Sequence, residues 1–296
     1  MNVAGLIEIL EKEGYTKQVE LLKNQEIDYE GKSSIKLEAI AANENGFELG
    51  ESKIGGCPHL KNNFDWPIFN GKPLAFLGQI NLKKASEYDI ENLLPSSGIL
   101  YFFYEGGKEV WGFDPEDKDG FKVIYEKDME NLNLTPLPEE LDKQMIFSPC
   151  KLKFKEEKTY SNNQYYINNL LESYIIGDDE SVDDEFQDIV LDYFDDAAGE
   201  IHTQLLGNPH VLGGDIFLIS QLASNGLNCG DGTVYDDPKA KELESGLEDW
   251  SLLFQLDCEE DANMVWGFLG VLCFTIKKED LKNQNFDDVW FILQSC

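Results

Sequence analysis

Hydrophobic residues recur along the chain with a helical period in two regions. Near the N-terminus an interrupted apolar stripe predicts an amphipathic helix over residues 5–22. In the middle of the chain two further stripes have the i, i+3, i+4, i+7, i+8 spacing of a helix. The first consists of Ile167, Leu170, Leu171, Tyr174 and Ile175, and the second of Phe186, Ile189, Val190, Tyr193 and Phe194.

Elsewhere the apolar runs are short and are interrupted by Gly, Pro and Asn, which is typical of β-strands. The predicted strands are Ile35–Ile40, Leu74–Leu82, Ile99–Tyr104, Phe121–Tyr125, Met145–Phe154, Ile216–Leu222, Leu252–Asp257, Val271–Ile276 and Val289–Gln294. Because strands flank a helical middle segment, we predict an α+β fold with mainly antiparallel sheets and an N-terminal helix.

Four short blocks occur twice in the same order. They are GGCPHL (55–60) and LGNPHV (206–211), AFLGQINL (75–82) and LLFQLD (252–257), GILYF (98–102) and GVLCF (270–274), and VIY (123–125) and VWFI (289–292). The second pair aligns Gln79 with Gln255. We interpret the blocks as two pseudo-symmetric repeats with a boundary near residue 155; the alternative is chance similarity between apolar strands. The predicted organisation is an N-terminal helical segment 1–33, a first repeat 34–155, and a helical insert plus second repeat 156–296. The alternative that residues 34–296 form one compact unit is left open.

Charge excludes several classes of function. The chain has 296 residues with 24 basic and 57 acidic side chains, a formal net charge of −33, and every basic residue except histidine is lysine. A nucleic-acid-binding protein needs a positive surface, so we predict no nucleic-acid partner. Without arginine, the chain also lacks the bidentate clamps that are common at phosphate and carboxylate sites.

The sequence predicts a protein of the cytoplasm. The longest nearly apolar run, Trp266–Ile276, is far shorter than the ~20 residues of a spanning helix, and the N-terminus lacks the features of a secretory signal. We therefore predict no membrane association. Six cysteines are scattered without metal-binding spacing, so we interpret them as free thiols and predict no cofactor.

One segment is unusually acidic. Residues 172–200 hold twelve acids and no lysine. Within it, Asp184, Asp188, Asp192 and Asp196 follow one another at i, i+4 spacing, and Asp195 lies beside them. The two open interpretations are an ordinary solvated helix face and a surface for a basic protein partner.

A small set of residues could form a ligand site. His202 could act as a general base or metal ligand with Asp215 or Asp257, or could simply bond a turn carbonyl. Asp231, Thr233, Asp236 and Asp237 could surround calcium, or could shape an ordinary loop. The tryptophans Trp66, Trp250 and Trp266, with Gln79 and Gln255, could line a cleft between the repeats or belong to the core.

Longer blocks give the chain a resemblance to a known family. They are SKIGGCP (52–58), Trp66-Pro67, PLAFLGQINL (73–82), LPSSGILYFFY (94–104), DGFKVIY (119–125), HTQLLGNP (202–209), QLASNGLNCGDG (221–232), DWSLLFQLD (249–257) and residues 264–294. Over about residues 34–296 the sequence resembles the YwqG-like family of bacterial proteins. The resemblance implies no particular reaction or ligand. Phe268 stands where that family usually has an acid, and Asn208 where it has a tyrosine, so a family site that uses the acid would be altered here.

Two functions follow as hypotheses. The favoured one is a non-catalytic protein-interaction or binding module with a strongly acidic surface. The alternative is a small-molecule or metal-dependent enzyme with its site between the repeats. The candidate binding residues are Trp66, Gln79, His202, Asp231, Gln255, Asp257 and Trp266, and the acidic surface consists of Asp184, Asp188, Asp192, Asp195 and Asp196. The oligomeric state and any metal are left open.

Overall fold

A computed structural model describes residues 4–23, 31–106, 109–163, 167 and 184–295. Its α-helices are α1 (Ala4–Glu13), α2 (Thr16–Lys23), α3 (Leu82–Ala85), α4 (Asp184–Ala198), α5 (Ile216–Ser224), α6 (Pro238–Leu243) and α7 (Lys278–Lys282). Its strands are β1 (Lys32–Ala41), β2 (Lys53–Ile54), β3 (His59–Leu60), β4 (Ile68–Phe69), β5 (Lys72–Pro73), β6 (Ala75–Asn81), β7 (Ile99–Tyr104), β8 (Phe121–Glu126), β9 (Asn133–Leu134), β10 (Cys150–Thr159), β11 (Gln204–Leu205), β12 (Trp250–Leu256), β13 (Val271–Lys277) and β14 (Trp290–Gln294).

One large antiparallel sheet dominates the molecule and confirms the predicted mixture of helices and mainly antiparallel strands. Its strand order is β14-β13-β12-β11-β1-β10-β2-β6-β7-β8. At the centre, β1 and β10 pair along ten residues, from Lys32 opposite Thr159 to Ala41 opposite Cys150. The two-residue strands β11 and β2 join this central pair to the longer strands on either side.

The sheet curls until its two edge strands nearly meet. Phe121 of β8 lies with its ring 5.4 Å from that of Phe291 in β14, and the Leu293 N–H donates to the Trp111 carbonyl at 3.0 Å. Inside the curl, the ring of Phe102 from β7 lies 4.5 Å from that of Phe254 in β12. Buried side chains from the strands on either side of the central pair β1–β10 therefore form one core.

A second, smaller core lies among the helices. Its buried residues are Leu6, Leu10, Val19, Leu22, Ile167, Phe186, Val190 and Phe194, from α1, α2, α4 and the isolated described residue 167. The N-terminal helix predicted over 5–22 is two helices, because the chain turns at Gly14, whose φ is +89°. The helix predicted from the 186–194 stripe is confirmed as α4, whereas the one predicted around 170–175 lies outside the described residues.

The strand predicted over Ile216–Leu222 is wrong, since this segment forms α5. Its side chains are nearly all buried. A run that is apolar throughout has no alternation of apolar and polar residues, so its pattern does not distinguish a strand from a buried helix. The preceding residue decides the outcome. The Asp215 carboxylate accepts hydrogen bonds from the N–H groups of Phe217 and Leu218 and so caps the helix.

Two predicted strand boundaries also move. β6 ends at Asn81, whose side chain accepts from the Lys84 N–H and starts α3. β10 begins at Cys150 and continues to Thr159 through a stretch rich in lysine and glutamate, which can face solvent on a strand.

Among the described residues, no helix is both long and apolar enough to cross a bilayer.

Candidate binding site

Gln79 and Gln255 are fully buried and make matching hydrogen bonds in the two parts of the sheet. The side-chain oxygen of Gln79 accepts from the His59 N–H at 2.8 Å, and that of Gln255 accepts from the His210 N–H at 3.0 Å. Their amide groups donate to the carbonyls of Glu51 and His202, respectively. Each glutamine therefore holds a neighbouring loop against its strand and satisfies backbone groups that would otherwise be buried without partners.

The backbone before each histidine has the same unusual conformation. Gly55 and Gly56 have φ values of +62° and +66°, and Leu206 and Gly207 have +60° and +78°. A Cβ on Gly55 would lie 2.1 Å from the Ser148 carbonyl oxygen, so glycine is required there by both conformation and space.

His202 lies in a partly buried cluster of acids at the end of β12. Its Nε2 is 3.5 Å from Glu157 Oε2 and its Nδ1 is 3.0 Å from the Glu200 carbonyl oxygen. Burial raises the pKa of Asp257 and of Glu259 above their usual values. Glu157 Oε2 and His202 Nε2 are buried without a hydrogen-bond partner within the described structure.

His210 faces helix α4. Its Nε2 lies 4.0 Å from Asp195 Oδ1, and Asn162 links the same two segments by donating to that carboxylate and accepting from the Val211 N–H. Burial lowers the pKa of His210, with a further lowering from His202 and an opposing effect of Asp195. The contact between the sheet and α4 therefore includes a pair of titratable side chains, His210 and Asp195.

The remaining candidates make structural contacts. Trp66 donates its indole N–H to the Leu74 carbonyl at 2.9 Å, and Trp266 donates to the Asp257 carbonyl at 3.0 Å. Asp231 is exposed and accepts from the Thr233 N–H and hydroxyl, which lower its pKa. In the described ranges, no group of three or more His, Cys, Asp or Glu side chains is arranged to hold a metal ion.

The seven candidates do not form one site. His202, Gln255, Asp257 and Trp266 are linked through β12 and the loop after it. Gln79 lies on β6, five strand positions away from β12 in the sheet order, and Trp66 belongs to an apolar cluster on that side. Asp231 lies in a separate loop.

Helix α4 directs its acids to solvent. Phe186, Val190 and Phe194 are buried in the helical core. The exposed side chains on the other side include Asp184, Asp188, Asp192 and Asp196. None of these four forms an ion pair with a lysine in the part of the chain that the structure describes.

A large cavity lies elsewhere, at the start of β1. Its volume is about 900 Å³ and it opens to solvent. The walls come from residues 31–33, the loop 91–95, residues 206–207, the first residues of β12, and α7 with the turn after it. The cavity therefore lies where segments of both parts of the sheet come together.

The described lining of this cavity contains three lysines, in contrast to the acidity of the whole chain. They are Lys32, Lys278 and Lys282, and the acid beside them is Glu91. The pKa of Lys32 is lowered, because surrounding protein reduces its hydration and Lys278 repels it, while Glu91 acts in the opposite direction. The Lys278 ammonium donates to the Glu248 carbonyl. Lys32 and Lys282 have no ion-pair partner among the described residues.

Sequence reasoning missed this site. Lys32 is about 250 residues before Lys278 in the chain, and no motif connects them. The available signal was weak: Lys278 and Lys282 repeat at i, i+4 in a chain where acids outnumber bases more than twofold.

Comparison with known proteins gives the family. No curated protein matches the chain. A family described as "Domain of unknown function (DUF1963)" matches residues 52–296, which leaves α1, α2 and β1 outside the matched range. The resemblance to the YwqG-like family stays a prediction. Because the match covers well over half of the chain, the protein belongs to the DUF1963 family.

Proposed function

We propose that this protein is a non-catalytic binding module that holds a ligand in the cavity at the start of β1. The observation that carries the proposal is the cavity itself, whose volume of about 900 Å³ falls in the range of small-molecule sites. Its described lining contains neither histidine nor cysteine. The partly buried histidines and carboxylates lie instead at the end of β12 and at the contact with α4, which favours binding over catalysis in the cavity.

The two parts of the sheet are, in this proposal, copies of one module. Several observations support this view. The sheet order places β11, β12, β13 and β14 on one side of the central pair and β2, β6, β7 and β8 on the other. Both β6 and β12 have a register shift two residues before the buried glutamine. On this basis the copies begin at β1 and β10, and each first strand pairs with the second strand of the other copy.

A difference between the copies accounts for the cavity. The loop after β12 places Trp266 against Phe147 and Tyr104, with ring centroids 5.5 and 6.4 Å apart. The corresponding loop after β6 places Leu93, Leu94 and Pro95 beside the start of β1, and the space remains open. The same architectural position is therefore filled in one copy and available to a ligand in the other.

A dye that reports apolar surroundings tests the site. We expect the neutral dye N-phenyl-1-naphthylamine to fluoresce on binding to the purified chain. The variant Leu93→Trp should reduce binding at least fivefold, because it adds bulk at the rim of the cavity. Leu134→Trp is the matched control, since Leu93 and Leu134 are both 43% exposed and Leu134 lies outside the cavity. Equal binding by the two variants, or no binding by the parent chain, would reject this location.

The exposed face of α4 supports a second candidate function, the docking of a basic protein partner. The specific observation is that Asp184, Asp188, Asp192 and Asp196 carry like charges at i, i+4 spacing without lysine partners in the described structure. Such spacing costs about 0.2–0.5 kcal/mol per pair, which a bound cation would offset.

Binding of decalysine, measured at low and high salt, tests this second candidate. The variant Asp188→Asn/Asp192→Asn/Asp196→Asn should weaken binding about tenfold at low salt. The control Asp65→Asn/Asp119→Asn/Asp236→Asn changes the net charge equally through exposed acids on other loops. If both variants lose affinity to the same extent, the attraction comes from net charge alone and α4 is not a docking face.

A further inference from the structure

We infer that the cavity at the start of β1 binds an amphiphilic anion, a molecule with a carboxylate or phosphate head and an apolar body. This inference rests on the proposed function, and it adds the chemical class of the ligand. Two independent features of the walls carry it, their lysines and their leucines.

The charge of the walls selects an anion. Among the described residues of the lining, three lysines against one glutamate give a formal charge of 3 − 1 = +2, in a chain whose total is −33. Lys32 and Lys278 line the same cavity, and repulsion by Lys278 adds to the effect of burial in lowering the pKa of Lys32. Lys278 and Lys282 also lie one helical turn apart on α7. Like charges held together are destabilising, and an anion between them would remove that repulsion.

The shape of the lysine groups favours a compact head group. A lysine ammonium is a point charge with three donors, suited to a carboxylate or phosphate without a fixed bidentate geometry. Lys32 and Lys282 form no ion pair within the described structure, and both residues are exposed. A small anionic head can therefore reach them from solvent.

The rest of the lining selects an apolar body. Leu93, Leu94 and Pro95 form one wall, and Leu206, Leu252 and Leu281 contribute to the others. Apolar surface that a ligand removes from water stabilises the complex by roughly 25 cal/mol per Å². Leu93 is 43% exposed, so a ligand with an apolar body removes it from water where a purely polar anion would not.

Four ligands with the same ten-carbon chain separate head group from body. We would measure the affinities of decanoate, decyl phosphate, decanol and decylammonium by titration calorimetry, below their micelle-forming concentrations and at constant ionic strength. At least one of the two anions should bind tenfold or more tightly than decanol, and decylammonium should bind more weakly than decanol. The two anions also distinguish carboxylate from phosphate as the preferred head.

A matched pair of variants tests the lysines. In Lys32→Gln/Lys282→Gln the preference for the anion over decanol should fall to threefold or less. Lys72→Gln/Lys241→Gln removes the same charge from exposed positions outside the cavity and should keep the full preference. Both variants should show the parent's unfolding temperature within a few degrees, which confirms that they are folded.

The outcomes distinguish this inference from the proposed function. Decanol binding as tightly as both anions, with competition by N-phenyl-1-naphthylamine, would overturn the anion inference and leave the binding module in place. An anion preference that survives in Lys32→Gln/Lys282→Gln would overturn it as well. If no ligand of the set and no dye binds the parent chain, both proposals are rejected.

Discussion

Buried glutamines link strand to loop at two places in this sheet, and each one satisfies a donor and an acceptor of the backbone. Gln79 and Gln255 are completely inaccessible to water, so the carbonyl and N–H groups that they bond have no substitute partner in solvent. The repeated sequence blocks predict that the two residues are equivalent. They do not predict whether the residues bind a ligand or the protein's own backbone. In the structure, these hydrogen bonds are made to the backbone of the protein.

Replacing Gln255 with leucine should destabilise the fold markedly. The substitution keeps the volume but leaves the His210 N–H and the His202 carbonyl unsatisfied. A buried unsatisfied group costs about 1–3 kcal/mol, so we expect a loss of about 2–5 kcal/mol in the free energy of unfolding, measured with denaturant. Gln187→Leu, at an exposed position on α4, serves as control and should change it by less than about 0.5 kcal/mol. A loss below about 1 kcal/mol for Gln255→Leu would contradict this role.

At the scale of elements, the contact between α4 and the sheet depends on titratable side chains. His210 faces Asp195 from α4 and is electrostatically coupled to His202, and its pKa is lowered mainly by burial. Below its usual pKa of 6.5, the unfolded chain takes up a proton that the folded chain binds less readily. The contribution of His210 to stability is therefore present above pH 6.5 and declines as the pH falls toward the lowered folded value.

His210→Asn should make stability less sensitive to pH in this window. We expect the stability difference between the parent chain and the variant to shrink between pH 7.5 and pH 5.5, measured by denaturant unfolding at several values. Comparison at each pH cancels the contributions of Asp257 and Glu259, whose raised pKa values have the opposite sign. A difference that stays constant or grows on acidification would refute the assignment.

The elements also show where the sequence is informative. Alternating or β-branched runs predict most of the long strands, because one or both faces of a strand must be apolar to pack. The two-residue strands β2 and β11 carry no pattern of their own and depend on long neighbours. The segment 216–222 is apolar throughout, and only its Asp215 cap distinguishes the helix that forms.

At the scale of the whole molecule, the net charge of −33 acts against folding. Exposed acids repel one another over distances that shrink from ~30 Å at 0.01 M salt to ~10 Å at 0.1 M. The three lysines of the cavity come together in this field because β1 pairs with β11, which leads through β12 to β13 and α7, far away in the chain. Local sequence patterns cannot reveal such a cluster, which explains why the cavity was not predicted while the acidic α4 was.

Added salt should stabilise the protein. Between 10 and 300 mM KCl we expect the unfolding temperature to rise by several degrees, since screening reduces repulsion more in the compact state than in the extended chain. Choline chloride at the same ionic strength should raise the unfolding temperature equally. Sucrose at equal osmolality should not reproduce the dependence of the unfolding temperature on salt. An unfolding temperature that is constant or falls with KCl would show that self-repulsion is a minor contribution.

The central position of β1 has a consequence for synthesis on the ribosome. Translation completes β1 first, but its two neighbours are β10 and β11, and β11 lies more than 160 residues further along the chain. At ~5–20 residues per second, one edge of β1 waits on the order of 10 to 30 s for its partner. Lys32, Lys36 and Glu38 place charge along that waiting strand, and charged side chains discourage pairing with other nascent chains. We therefore expect the polar residues of β1 to hinder such pairing in the emerging polypeptide, before they have any place in the finished sheet.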